Sequence, residues 1–208
     1  MISFNIGGCD VDILPVVNGL VAETEKVRQA YGRYEAYGAS LGIEAIEALK
    51  KREEIGVEEI EVSEIDIVYA EKMALFGDIQ TPSPAFCELV DLCAADGKNV
   101  IPLDMKDYDF DTVYMDCIKA TEFTSAHHTA KKAYKKKMDQ SSPEALAIEL
   151  DRFVNKKKGF ARLNRIREEH IAKEIMDTAK YRRSLLCVIE VERIEGVCTI
   201  LEASYERL

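Results

Sequence analysis

Acidic side chains follow each of four stretches whose pattern predicts a β-strand. Asp10 and Glu71 come after the first two strands, and Asp104 and Glu192 come after the last two. Because ligands of open α/β sheets bind at the carboxyl ends of the strands, we expect these four carboxylates to gather at one edge. Such a cluster needs a hard cation or strong pKa shifts. The sequence predicts a site for a small ligand or a divalent metal such as Mg²⁺ or Mn²⁺, unless the acids merely fall there by chance.

Three histidines are the other candidates for chemistry. His127 and His128 are adjacent, so on a helix they point about 100° apart and do not chelate one ion together. Arg167 and His170 lie three apart on a predicted helix, where they either bind an anion jointly or form a surface pair. The catalytic candidates are therefore Arg167, His170 and Glu71.

Four short apolar segments are typical of the strands that must position these residues. They span 2–6, 65–70, 100–104 and 185–191, and Pro102 indicates that the third strand either lies at an edge or is distorted. Helices are predicted over 16–49 with Pro15 in the first turn and a break near Gly38, from Pro84 to about 96, and from Gly196 onward. Segment 109–183 is mostly helical, with Pro143 opening one helix and a last helix over 160–180.

The alternation of strands and helices favours an α/β fold, in which helices flank a mostly parallel sheet of four or more strands. We expect one α/β domain over residues 1–208. Segment 109–183 forms an inserted, partly basic helical subdomain within it.

Composition narrows the classes of function. The chain has 208 residues and a formal net charge of −10, with the positive charge concentrated in 121–183. An acidic chain is not drawn to nucleic acid. No apolar run approaches the roughly 18 residues of a membrane span, and the N-terminus lacks a secretory pattern. We expect a cytoplasmic protein without a membrane partner.

Common catalytic motifs are missing from the sequence. Gly7 and Gly8 follow the first strand but do not complete a GxGxxG phosphate loop. The chain also has no GxSxG elbow and no HExxH pair. Common nucleotide-binding, serine hydrolase and zinc protease functions are therefore not expected.

Three stretches resemble TraB-like proteins. Segment 167–175 (REEHIAKEI) is similar to a family helix that begins with arginine and an acid. Segments 186–191 and 196–201 resemble the family's apolar strand and glycine-led helix, and 86–104 resembles its helix and strand ending in Asp. The wider group includes Tiki-type metalloproteases, ChaN-like haem-binding proteins and erythromycin esterase-like hydrolases. The resemblance implies a hydrolase-related protein or a descendant that only binds a ligand.

The sequence departs from that family at both metal-site histidines. Residues 7–10 (GGCD) replace a Gly-Thr-x-His motif, and residues 192–195 (ERIE) replace a Gly-x-Gly-His loop. By position, the resemblance carries over only Glu71 and Arg167. Carboxylates in place of imidazoles shift the preference toward hard cations.

Two further functions stay open. Arg165 and His170 have the Arg-x4-His spacing of HEPN-type ribonucleases, although that fold is entirely helical and the predicted strands contradict it. Alternatively, the chain is a non-enzymatic assembly or regulatory protein. Its basic helical segment would then dock against an acidic surface of a partner or of another copy, giving a homo-oligomer.

Overall fold

The structure is a computed structural model that describes residues 1–55 and 63–205. Its strands are β1 (Ile2–Ile6), β2 (Cys9–Val16), β3 (Ala36–Ala39), β4 (Val100–Pro102) and β5 (Ser184–Glu190). Its helices are α1 (Glu23–Ala30), α2 (Ile43–Lys50), α3 (Arg52–Ile55), α4 (Glu64–Met73), α5 (Pro84–Ala95), α6 (Asp107–Cys117), α7 (Ala120–Thr124), α8 (Ala126–Lys135), α9 (Pro143–Val154), α10 (Lys158–Ala179) and α11 (Ile194–Tyr205). A single 3-10 turn, Val191–Arg193, joins β5 to α11.

The five strands form one mostly parallel sheet in the order β1-β2-β5-β3-β4. Strand β1 pairs antiparallel with β2, and the other three neighbouring pairs are parallel. The prediction of a mostly parallel sheet flanked by helices, with an inserted run of helices, is confirmed. Helices α6 to α10 make up that run between β4 and β5.

Helices cover both faces of the sheet. One face packs against α1, α2 and α5, whose apolar side chains form a core with Leu186 and Val188 of β5. The alternate residues Leu185, Cys187 and Ile189 pack on the other face against α10 and α11. Because β5 is central and alternates between two cores, its five residues from Leu185 to Ile189 are all buried.

A third core lies beyond the carboxyl ends of β2 and β5. Val17 and Leu20 follow β2, Val191 follows β5, and all three pack against helices α4, α8 and α9. This helical layer covers the edge of the sheet at which an open α/β fold places its ligand.

Residues 65–70 were predicted as a strand, and this prediction is wrong because they belong to α4. The Oγ of Ser63 accepts the backbone N–H of Asp66 at 3.3 Å, and the carboxylate of Asp66 accepts the N–H of Ser63 at 3.2 Å. These two bonds form a capping box, which starts a helix. The local cap outweighs the β propensity of the Val and Ile residues that follow it.

The helix predicted from residue 16 is also wrong, because β2 continues to Val16 with Pro15 inside it. Pro15 pairs with Ile189 of β5 on one side. On the other side the pairing of β1 stops at Ile13, so β1 needs no N–H from residue 15. Proline has no backbone N–H, so it is tolerated in a strand at positions where no neighbouring strand needs that donor. The rest of 16–49 holds two helices, α1 and α2, and the predicted break near Gly38 is the strand β3 between them.

Other elements follow the sequence closely. Strand β4 lies at the edge of the sheet, as Pro102 indicated. Pro143 opens α9, with the Oγ of Ser142 accepting the N–H of Ala145 at 3.1 Å. Helix α10 begins at Lys158, so Gly159 lies inside its first turn, and α11 begins two residues before Gly196. In the two described ranges, no helix is both long and apolar enough to cross a bilayer.

Candidate functional site

The four carboxylates expected at one edge do not gather there. Asp104 and Glu192 follow β4 and β5 at the carboxyl ends of the strands. Asp10 lies at the opposite end of the sheet as the second residue of β2, where Asn5 Nδ2 donates to its carboxylate at 2.9 Å. Glu71 is exposed on α4 and lines a separate cavity of about 390 Å³. The expectation failed because Asp10 begins a strand instead of following one, and Glu71 belongs to a helix.

A cavity of about 170 Å³ lies at the carboxyl ends of β2 and β5. The chain leaves β2 toward α1 on one face of the sheet and leaves β5 toward α11 on the other face. This divergence opens the crevice that binds ligands in doubly wound folds. The cavity is lined by Asn18, Asp151, Asn164, Arg167, Glu190, Glu192 and Arg193.

Arg167 reaches the cavity from α10 and anchors that helix to the sheet. Its Nε donates to Asp104 Oδ2 at 2.9 Å, and its Nη2 contacts the same oxygen. Burial disfavours the charged guanidinium, but the carboxylates of Asp104 and Glu190 outweigh this and raise the pKa of Arg167. Arg167 is therefore a fixed positive charge in the wall of the cavity.

Arg193 is the second fixed cation and is almost fully buried. Its Nη1 donates to Glu168 Oε1 at 2.9 Å, and its Nη2 contacts Asp151 Oδ1. Burial raises the pKa of both carboxyls, while the charge of Arg193 opposes the shift. Asn155 Nδ2 also donates to Asp151, at 2.8 Å. These bonds connect α9, α10 and the turn after β5 into one network.

Ser40, which follows β3, fixes the carboxylate of Glu190. The hydroxyl of Ser40 donates to Glu190 Oε2, and the backbone N–H of Glu190 donates back to Ser40 Oγ at 3.3 Å. Ser40 is buried, with 1% of its surface exposed. Glu190 is thus held in place at the centre of the carboxyl edge.

Glu192 differs from its neighbours because its Oε2 is buried and has no hydrogen-bond partner within the described ranges. Burial and the nearby charge of Glu190 raise the pKa of Glu192 to about 7. Burial and the charges of Glu192 and Glu190 also raise the pKa of Tyr69, whose hydroxyl donates to the backbone oxygen of Asn18 at 3.1 Å. A buried oxygen without a donor is costly unless it takes up a proton or a ligand.

Glu23 presents a second such oxygen near the same tyrosine. It is 2% exposed, its Oε1 pairs with Lys26 at 2.8 Å, and its Oε2 has no partner in the described part of the chain. The charge of Glu23 contributes to the raised pKa of Tyr69.

A larger cavity of about 680 Å³ adjoins the first and shares Asp151 and Glu192 with it. It lies between α9, α10 and α11 and has an apolar side formed by Ile148, Ile194 and Ile200. Glu192 therefore stands between a small polar cavity and a wider, partly apolar one. Together the two cavities have room for an elongated small molecule.

The charge around the small cavity is unbalanced. Five carboxylates face two guanidinium groups, since Asp104, Asp151, Glu168, Glu190 and Glu192 surround Arg167 and Arg193. However, in the described residues no three His, Cys, Asp or Glu side chains converge closely enough to hold a metal ion.

The histidines lie outside this site. His127 Nδ1 contacts Glu64 at 2.5 Å on the surface, and His128 is exposed. His170 is partly exposed and is not among the residues that line the small cavity. Arg165 pairs with Glu169 at 3.0 Å, and both line the larger cavity but not the small one. Of the three catalytic candidates, only Arg167 reaches the small cavity.

The sequence left several residues of the site unnoticed, chiefly Asp151, Glu190 and Arg193. One signal was available, because the fully apolar strand β5 ends in the charged run 190–193 (EVER). No local pattern links that run to Asp151, which is brought there by the packing of α9.

Comparison of the chain with models of protein families, with curated proteins and with solved structures finds no match in any of the three.

Proposed function

We propose that this protein binds a small ligand with a positively charged nitrogen in the two adjoining cavities at the carboxyl edge of its sheet. The buried, unpartnered Oε2 of Glu192 carries the proposal. An ammonium group beside Glu192 would donate to this oxygen and reduce the excess of negative charge around it. The apolar side of the larger cavity would accept the carbon chain of the ligand.

Thermal unfolding with amines tests this proposal. We expect butylamine or spermidine at millimolar concentration to raise the melting temperature of the wild type, because a ligand bound only by the folded state stabilises it. Glu192→Gln should lose most of the shift, since an amide is not negatively charged. Glu71→Gln, on the exposed side of α4, should keep the shift.

Mg²⁺ and Mn²⁺ serve as the comparison in the same experiment. If either metal raises the melting temperature more than the amines do, the ligand is a divalent cation and not an amine. Equal amine shifts in the wild type and in Glu192→Gln would exclude Glu192 as the acceptor and overturn the proposal.

Hydrolysis is a second candidate function, and it is favoured by the pKa of Glu192 alone. A carboxyl group with a pKa of about 7 can both accept and donate a proton at neutral pH. Arg167, which also lines the small cavity, would stabilise negative charge that develops on the substrate. Turnover of a panel of esters and amides that is abolished in Glu192→Gln would support this function.

The relationship to TraB-like proteins stays a prediction. The matching arginine, Arg167, lies in the cavity, whereas the other matching residue, Glu71, lies on α4 outside it. The HEPN-type ribonuclease is not proposed again, because a five-stranded sheet is foreign to that helical fold.

A further inference from the structure

Helix α6 exposes an aromatic and acidic face. Tyr108 and Met115 lie seven residues apart, on the same side of the helix, and are 81% and 72% exposed. Four exposed aspartates flank them: Asp107, Asp109, Asp111 and Asp116. The opposite side of α6 packs through Phe110 and Tyr114 on Leu163 of α10. We call the exposed side the acidic face.

Helix α8 exposes a face of the opposite charge. Its buried side, with Ala130 and Ala133, packs in the third core. Its outer side carries Tyr134, which is 61% exposed. Around this tyrosine lie exposed basic residues and histidines: His127, His128, Lys131, Lys132 and Lys135. We call this the basic face.

Most of the charge on both faces has no partner in the part of the chain that the structure describes, the exception being His127, which contacts Glu64 at 2.5 Å. The aspartates of the acidic face form no ion pair there, and neither do the three lysines of the basic face. Large exposed apolar side chains at the centre of a polar surface mark interaction sites. Two such faces of opposite sign on one chain are complementary to each other.

We propose that copies of this protein associate by docking the acidic face of one copy on the basic face of the next. Tyr108 and Met115 of one copy would pack beside Tyr134 of the other, with aspartates and lysines paired around them. Because the two faces differ, each contact joins unlike surfaces, and the copies close into a dimer if the two contacts are reciprocal or form a ring or chain if they are not. Like charges across any other pairing of these two faces would repel.

Sedimentation velocity of the full chain tests this assembly. We expect species larger than the monomer at about 50 mM salt and the monomer at about 500 mM salt, because surface charges are screened within a few ångströms at high ionic strength. The double variants Asp111→Lys/Asp116→Lys and Lys131→Glu/Lys135→Glu should each be monomeric. Glu53→Lys/Glu54→Lys, which reverses two exposed acids elsewhere, should associate like the wild type.

Mixing the two monomeric variants gives the decisive result. The aspartate variant keeps an intact basic face and the lysine variant keeps an intact acidic face, so the mixture should associate although neither variant does so alone. Circular dichroism establishes that both variants are folded. A wild type that stays monomeric at every protein concentration at low salt would overturn the proposal.

Two other outcomes would show that the two faces do not bind each other. Association of the wild type that survives either reversal places the contact on another surface and contradicts the proposal. So does a mixture that stays monomeric, since the two faces would then bind other partners. None of these results depends on the two adjoining cavities, because no residue of α6 or α8 lines either of them.

Discussion

Arg167 on α10 donates two hydrogen bonds to one oxygen of Asp104, which lies just after β4. Both Nε and Nη2 of Arg167 contact Asp104 Oδ2, with Nε at 2.9 Å. The side chain of Asp104 is 7% exposed and that of Arg167 is 22% exposed. The pair ties the long helix to the edge strand and holds Arg167 in the lining of the small cavity.

Removing Asp104 should therefore destabilise the protein strongly. Asp104→Ala leaves the guanidinium of Arg167 buried without its partner, and we expect the free energy of unfolding to fall by about 3 kcal/mol. Urea denaturation measures this value. Glu169→Ala breaks the exposed pair with Arg165 and should cost less than about 1 kcal/mol. Similar losses in both variants would contradict the role given to the buried pair.

The unfolding free energy should depend on pH through Glu192. The folded protein binds the Glu192 proton more tightly than the unfolded chain does, because the pKa is raised from 4.5 to about 7. This contribution is fully present below pH 4.5 and is lost as the pH rises through about 7. Each unit of pKa shift corresponds to about 1.36 kcal/mol. At pH 8 the free energy of unfolding of Glu192→Gln should therefore exceed that of the wild type by up to about 3 kcal/mol.

The two proteins should converge near pH 4.5, where Glu192 is protonated in the folded state. Urea denaturation of both at several pH values gives the difference directly. A constant difference across the range would show that Glu192 does not titrate near neutrality.

Gly196 provides a test of the network around Arg193. A methyl group at this position would collide with the carboxylate of Glu168, which accepts from Arg193 at 2.9 Å. Gly196→Ala should displace Glu168 and lower the free energy of unfolding by about 1–3 kcal/mol. Thr199→Ala, on the exposed side of the same helix, should change it by less than about 0.5 kcal/mol. Denaturation curves for both variants decide the matter.

Local signals located many of the elements that hold the site. The fully apolar stretch of β5 predicted a buried strand, Pro102 predicted an edge strand, and Ser142 with Pro143 predicted the start of α9. Each signal acts within a few residues of the chain. The same kind of signal was misread at Ser63, where an Asp three residues later completes a cap.

The sequence by itself determined the α/β class, the central buried strand and two members of the site, Arg167 and Glu192. Only the tertiary structure decided that Asp10 and Glu71 lie elsewhere, and that Asp151 meets Arg193 although 42 residues separate them. Strand order, strand direction and helix packing depend on which apolar faces bury each other across the whole chain. Those contacts leave no short-range pattern, so the side chains that share the cavity could not be deduced one by one.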